Sequence, residues 1–356
     1  MSEVATTAPR ARQALWIALL LVSAVVVLLR GASDTEGEAG IVDLAGTVMG
    51  TDWHVRAVAP RGDAERLREA VQGALDDVDR RFSTYKRESL LMRFNAHHSA
   101  EPFAADAELA SVLRTALRIA EASGGAYDPT IFPVVALWGF AGGERREPTE
   151  TQLAEAMAHV GWKHLSVDPD GHLLKQDPLL AIDLSSIAKG YGVDRASAAL
   201  VAAGCAAHMV EVGGEVVCRG AKPDESPWQI GIERPHPDEA EDDKPIQEVI
   251  GLRDRAVATS GSYRNWFEAG GKRRHHIVDA RTGRNAASAV VSVSVTADDC
   301  TLADGLATAL MVVGPEHARD LLRVFAPARI GVLFLVEDKG TIREVPVDWP
   351  FASQAK

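Results

Sequence analysis

From Ile41 onward the apolar positions of the chain fall into two periods. Residues 64–82, ending "ALDDVDRRF", repeat at about 3.6 residues with Arg and Asp on the opposite face, and predict a helix. The stretch before it, "GTVMGTDWHVRAVAP", reads as one glycine-punctuated strand. "ELASVLRTALRIAEASGG" predicts a second amphipathic helix closed by Gly124 and Gly125. "TETQLAEAMAHVG" predicts a third, started by Thr149 and a carboxylate-rich first turn and stopped by Gly161. Short strands follow. "LLAIDLSSIAKGYGVDRASAALVAAG" then passes from strand to helix around Leu184 to Ser186 and ends at Gly204.

The second half is richer in strands. "HMVEVGGEVVCRG", "PWQIGIERP", "EVIGLRDRAVATSG", "VVSVSVTA" and "IGVLFLVED" alternate or cluster β-branched residues, while "PEHARDLLRVF" returns to a helical pattern. Between two of the strands, "HPDEAEDDKPIQ" is an acidic, proline-bearing loop. Strands and helices are mingled, but hairpin-like neighbours dominate late in the chain. The expected class is therefore α+β, with a mixed, mainly antiparallel sheet, in a single compact domain over residues 41–350.

Composition narrows the function. The 356 residues are 46% hydrophobic and 25% charged, as in an ordinary globular fold. The formal charge of -12, with no run rich in Lys or Arg, argues against nucleic acid as a partner, because a polyanion needs a basic face. An anionic nucleotide would need local help from a metal ion or oriented backbone amides. Cys205, Cys218 and Cys300 lack metal-ligand spacing and read as small buried hydrophobes.

The N-terminus changes the expected compartment. "ALWIALLLVSAVVVLL" is roughly sixteen uninterrupted residues of low polarity, about 24 Å as a helix. Arg10 and Arg12 precede it and acidic residues follow, which favours a cytoplasmic segment 1–13 and export of the rest. Residues 14–30 are expected to be an uncleaved membrane anchor rather than a cleaved signal, because Arg30 spoils the approach to "GAS". Residues 31–40 form a polar tether.

Several short stretches carry candidate chemistry. "HHIVDARTG", residues 275–283, looks like a strand end feeding a polar turn, a rigid place for an accessible site or simply a solvated turn. Asp183, Ser185 and Ser186 sit where a strand meets a helix, a geometry that suits a phosphate or metal but also serves as a plain helix cap. Lys189 and Asp194 follow on that helix and read equally as surface. Asp304 and Thr308, four residues apart in "LADGLATAL", share a helix face and suit one hard cation such as magnesium, while their leucine and alanine neighbours would half-bury the carboxylate. In "SGGAYDPTIFPVVALWGF", Gly124 and Gly125 permit close backbone approach, and Trp138 and Phe140 pack on a flat ring or on the core. "TVMGT" places Met49 where it can lie against an aromatic ring.

Taken together these stretches resemble the ApbE family of flavin transferases. The matching segments, in order, are "GTVMGT", "FSTYKRESLLMRFN", "GGAYDPTIFPVVALWGF", "IDLSSIAKGYGVD", "EVGGEVVCRG", "ATSGSYRNWF", "HHIVDARTG" and "SVTADDCTLADGLATAL". The resemblance implies magnesium-dependent transfer of FMN from FAD to a threonine or serine hydroxyl of a partner flavoprotein, with release of AMP. Carried onto matching positions, the flavin end would meet Met49 and Tyr85, with Ala126, Tyr127 and Asp128 around the ring or ribityl chain. Asp183, Lys189 and the backbone of Val278 would hold the rest of FAD, and Ser186, Asp304, Thr308 and a backbone oxygen near Ala307 would contact the metal.

His276 is the candidate base for the acceptor hydroxyl, and Asp304 the residue whose loss should hurt most. His275 is expected to point to the other side of a strand. The chain departs from the family pattern at Ala280, where proline is usual, and at Ser262, where aspartate is usual. The implied partners are exported respiratory flavoproteins on the periplasmic face of a bacterial inner membrane. The rival readings are an FAD diphosphatase giving FMN and AMP, and a flavin-binding protein without turnover.

Overall fold

The computed structural model describes residues 39–235 and 245–351. The expected cytoplasmic segment, the membrane segment at 14–30, nearly all of the tether and most of the acidic loop lie outside the described residues. Among the described residues no helix is long and apolar enough to cross a membrane.

The chain opens with β1 (Gly40–Val48) and β2 (Thr51–Ala59), paired in antiparallel register from Gly40↔Ala59 to Val48↔Thr51. The single strand expected here is thus a hairpin. Its two turn residues, Met49 and Gly50, have φ of 50° and 74°, the left-handed conformation that matches the twist of the flanking strands. Gly46 opposes Trp53, and a Cβ at 46 would fall 2.6 Å from the indole, so only glycine leaves room for that buried ring.

Eight helices and fourteen further strands follow among the described residues. They are α1 (Ala64–Phe82), α2 (Leu90–Asn95), α3 (Ala107–Ala122), α4 (Phe132–Leu137) and α5 (Glu150–Met157), then the short hairpin β3 (Leu165–Val167) and β4 (Leu173–Lys175). Next come α6 (Ser185–Ala202), β5 (His208–Val212), β6 (Glu215–Arg219), β7 (Trp228–Glu233), β8 (Ile246–Leu252) and β9 (Arg255–Gly261). Two small hairpins, β10 (Trp266–Ala269) with β11 (Lys272–His275) and β12 (Val278–Asp279) with β13 (Arg284–Asn285), precede β14 (Val290–Ala297). The chain closes with α7 (Cys300–Val313), α8 (Pro315–Arg323), β15 (Gly331–Asp338) and β16 (Thr341–Val347).

Eight strands form one sheet in the order β1-β2-β5-β6-β9-β14-β15-β16. Every pairing in it is antiparallel, which corrects the expectation of a mixed sheet. The reason is connectivity. Tight turns join β1 to β2, β5 to β6 and β15 to β16, and even the long helical excursion between β2 and β5 returns the chain beside β2 in the opposite direction, with Trp53 facing Val212.

Side-chain alternation then assigns the two faces. Val217 and Ala256 join Val71, Leu75 and Val193 on the helical side, while Val216, Cys218 and Val257 join Trp228, Ile230 and Ile250 of the β7–β8 ribbon on the other. A larger cluster on the helical side links Leu113, Ile119, Ile187 and Leu306 to Val293 and Phe334. Full burial of one such leucine contributes about 2 kcal/mol. The three cysteines are free and buried, in keeping with the sequence reading.

Candidate active site

Two packed helices carry the candidate metal contacts Ser186, Asp304, Ala307 and Thr308, together with Lys189. α6 and α7 pack antiparallel at close range because glycine lines the contact: a Cβ at Gly190 would lie 2.3 Å from the Cys300 carbonyl oxygen, and one at Gly305 would lie 3.2 Å from Ile187. Asp194, read from sequence as possible surface, is half-buried and ties the start of α7 to α6. Its carboxylate accepts hydrogen bonds from Cys300 N at 2.9 Å, Thr301 N at 2.8 Å and Thr301 Oγ1 at 2.6 Å. Burial pushes its pKa up to about 6. One turn earlier, Gly190 N donates to Asp304 Oδ2 at 2.9 Å. The same antiparallel register, continued by another turn, brings Ser186 level with Ala307 and Thr308.

Asp304 is 3% exposed, deeper than the half-burial expected from sequence. Burial raises its carboxyl pKa; the nearby Glu215 carboxylate raises it further, and the Lys189 ammonium opposes. Glu215, on β6, is itself buried and forms an ion pair with Lys189. Two buried carboxylates thus share one partly exposed ammonium. Thr308 is partly exposed, and its hydroxyl lies 3.2 Å from that of Ser260.

The N-terminal turn of α6 meets the segment after α3. Asp183 accepts from Ser185 N at 2.7 Å, while its own N–H donates to Pro129 O at 2.8 Å. Burial raises its carboxyl pKa. Ser186 Oγ donates to the buried Tyr127 phenol oxygen at 3.1 Å, and burial raises the Tyr127 pKa. Asp128 is committed to its own loop: Oδ1 accepts from Thr130 N and Oγ1, and Oδ2 from Trp162 N. Ala126 O accepts from Ala280 N at 3.2 Å, which fastens the β12–β13 hairpin beside this segment. A proline at 280 has no N–H to make that bond. Val278 packs near the buried Val134, Trp138 and Leu153, and Trp138 Nε1 donates to Gly283 O at 2.9 Å. Trp138 is therefore core.

His276 lies in the bend after β11, whereas His275 is the last residue of that strand. The ring Nδ1 of His276 is 3.2 Å from the carbonyl oxygen of Asn265, which also accepts from His276 N at 3.0 Å. A carbonyl only accepts, so Nδ1 carries the proton and Nε2 the lone pair. Burial lowers the His276 pKa to about 4, helped by His275, Lys189 and Arg145.

Met49 and Tyr85 stand apart from this hydrogen-bonded group. Met49 lies in the β1–β2 turn, its methyl 3.2 Å from where a Cβ at Gly192 would be, so it packs on α6. Tyr85 is 71% exposed; its phenol donates to Phe140 O at 3.4 Å, and the Phe140 ring is 6.3 Å from that of His276. Sequence reasoning missed Glu215, Ser260, Gly190 and Arg145. Glu215 alone left a trace, as an acidic residue at the head of the apolar run "VVC".

The chain is similar in sequence and fold to known proteins. Residues 49–334 match the sequence model of the ApbE family. An FAD:protein FMN transferase of Vibrio cholerae serotype O1 is 39% identical over 330 residues, 91% of this chain and 95% of the relative. One from Escherichia coli (strain K12) is 38% identical over 289 residues, 79% of this chain and 80% of the relative. The flavin transferase ApbE from Vibrio cholerae superimposes with a TM-score of 0.77 at 37% identity, covering 86% of this chain and 97% of its own. With the match running from the β1–β2 turn that holds Met49 to β15, and so across α6, α7 and the His276 bend between them, the chain belongs to the ApbE family.

Proposed function

We propose that the chain moves FMN from FAD onto a hydroxyl side chain of a partner protein, with a magnesium ion held by Ser186, Asp304, Thr308 and the backbone oxygen of Ala307. The enzyme class, FAD:protein FMN transferase, is that of its curated relatives. The observation that carries the metal assignment is the buried Asp304 carboxylate, which with buried Glu215 has one ammonium, Lys189, to offset two negative charges, one helical turn before the Thr308 hydroxyl. An all-oxygen donor set with excess buried negative charge fits a hard divalent cation.

When bound, that ion supplies charge neutralisation at the diphosphate. Lys189 adds a second positive charge from α6, and the turn of Asp183, Ser185 and Ser186 presents the N-terminus of α6 to an anion. His276 Nε2, neutral and oriented by Asn265, takes the proton of the acceptor hydroxyl. The hydroxyl oxygen forms a bond to the FMN phosphorus as the bond to the AMP oxygen breaks, and AMP leaves with the electron pair. The acceptor is a threonine or serine, and Met49, Tyr85, Ala126, Tyr127, Asp128 and Val278 line the path of the flavin. The segment at 14–30, with Arg10 and Arg12 before it, supports a membrane-tethered domain acting on exported respiratory flavoproteins.

The test mixes the full chain with FAD, magnesium chloride and a threonine-bearing acceptor peptide, followed by mass spectrometry. An FMN adduct with equimolar AMP is expected. Free FMN and AMP without adduct would make the protein a diphosphatase, and bound FAD without turnover would make it a carrier.

A further inference from the structure

Arg145 sits in the connection between α4 and α5, which doubles back at Gly139. There φ is 84°, and a Cβ would fall 2.3 Å from Glu144 O and 2.8 Å from Arg145 Cα, so the fold-back needs glycine. The turn lays the Arg145 guanidinium 5.8 Å from the centroid of the Phe140 ring. Its Nη1 donates to Trp266 O at 3.2 Å and its Nη2 to Asn265 Oδ1 at 2.8 Å. All three contacts are to uncharged groups.

The arginines around it are satisfied differently. Arg264 pairs with Glu233, Arg274 with Glu147, Arg281 with Asp279 and Arg284 with Glu150. Among the described residues Arg145 has no carboxylate within ion-pair distance, although Glu144 and Glu147 flank it in sequence. Arg145 is exposed, but held on an aromatic face by two acceptors it is already ordered, so that binding a ligand costs it little further entropy. Two of its five N–H groups are used, which leaves the others for an anion.

Asn265 says where that anion would be. Its backbone oxygen orients His276 while its side-chain oxygen holds Arg145, and the Phe140 ring lies 6.3 Å from the His276 ring and 5.8 Å from the Arg145 guanidinium. The Arg145 charge is felt at the His276 imidazole. A cation without an acid is therefore built next to the group that receives the acceptor's proton.

We infer that Arg145 binds an anionic group of the transfer complex, either a phosphate oxygen of FAD or a carboxylate next to the acceptor hydroxyl, and so sets affinity at the His276 side of the site. This rests on the transferase reading above.

The test uses full-length R145Q and R145K, with R146Q as an exposed neighbour that carries no such contacts. Two acceptor peptides are compared, identical except for Asp or Asn beside the threonine. R145Q should raise one KM about tenfold, the order of one charge-assisted hydrogen bond, with a smaller change in kcat; R145K should recover part of it, and R146Q should match wild type. A rise in KM for FAD assigns the phosphate. A rise for the Asp peptide but not its Asn twin assigns the carboxylate. Either rise should shrink as salt is added. Both KM values within twofold of wild type, or a fall in kcat alone, overturns the inference while adduct formation by the wild type leaves the transferase reading standing. No adduct from the wild type overturns that reading instead.

Discussion

The backbone N–H of Gly190 donates to the Asp304 carboxylate across two helices that touch only because residue 190 has no side chain. A methyl group there would lie 2.3 Å from Cys300 O and 2.7 Å from Asp304 Cβ. Neither neighbour can yield without moving α7. Gly190→Ala should therefore destabilise the fold by about 1–3 kcal/mol, as overpacking does, and cut transfer by roughly tenfold or more through displacement of Asp304. Thermal unfolding and adduct formation check the two effects; a variant matching wild type in both would mean the helices are not in close contact.

Asp304→Asn separates charge from shape. The amide oxygen can still accept from Gly190 N, but the buried negative charge is gone. Transfer should fall by about two to three orders of magnitude, the scale of losing one electrostatic stabiliser in a dry site. The unfolding midpoint should hold or rise, because burial and Glu215 both oppose the ionised carboxylate. A large drop in midpoint would make Asp304 a structural residue.

The depressed pKa of His276, about 4, places the acid limb of activity. Free imidazole titrates near 6.5, so a base like the free side chain would fail below about pH 6. Here Nε2 stays unprotonated further down, and kcat/KM should hold to about pH 5 and fall towards pH 4. A half-maximal point at pH 6.5 would assign the proton to another group.

Buried His208 gives a matching stability prediction. Its Nε2 is 2.8 Å from Ser197 Oγ and its Nδ1 3.2 Å from Cys205 O, and burial lowers its pKa to about 4, with Arg219 adding to the effect. The unfolded chain takes up this proton near pH 6.5, the folded one only near 4. The contribution is complete above the unfolded value and is lost as pH falls towards 4, by up to about 3 kcal/mol. Denaturant titrations at pH 7.5 and 4.5 should show a smaller pH loss in His208→Gln than in wild type; equal losses would refute the assignment.

Much of the fold was readable where local periodicity decides it. The helix over residues 64–82 and the strand over 290–297 have the expected bounds, because each alternates one apolar face with a polar or differently packed one. The β1–β2 hairpin was not, since a left-handed methionine at position 49 has no strong composition signal. Nor was the sheet order, in which Trp53 pairs with Val212 across the whole helical excursion. Of the candidate residues, Asp304 and Thr308 stood out by their spacing on one helix, and Asp183 and Ser186 by their place at a helix start. Asp194, Glu215 and Arg145 did not, because an acid that clamps a helix end, an acid paired with a distant lysine and a cation resting on a ring are each indistinguishable from solvated surface until tertiary contacts exist.

The pairing of β2 with β5 also sets a schedule for the nascent chain. The free edge of the first hairpin, with its unpaired N–H and C=O groups, finds its native cover only after some 150 further residues have been made. Until then that edge is open to foreign strands, and the two helices that carry the candidate residues 185–190 and 304–308 have not met. The β2 edge is therefore the last part of the first hairpin to be covered, for β5 alone among the described strands pairs with it and lies beyond the whole helical excursion.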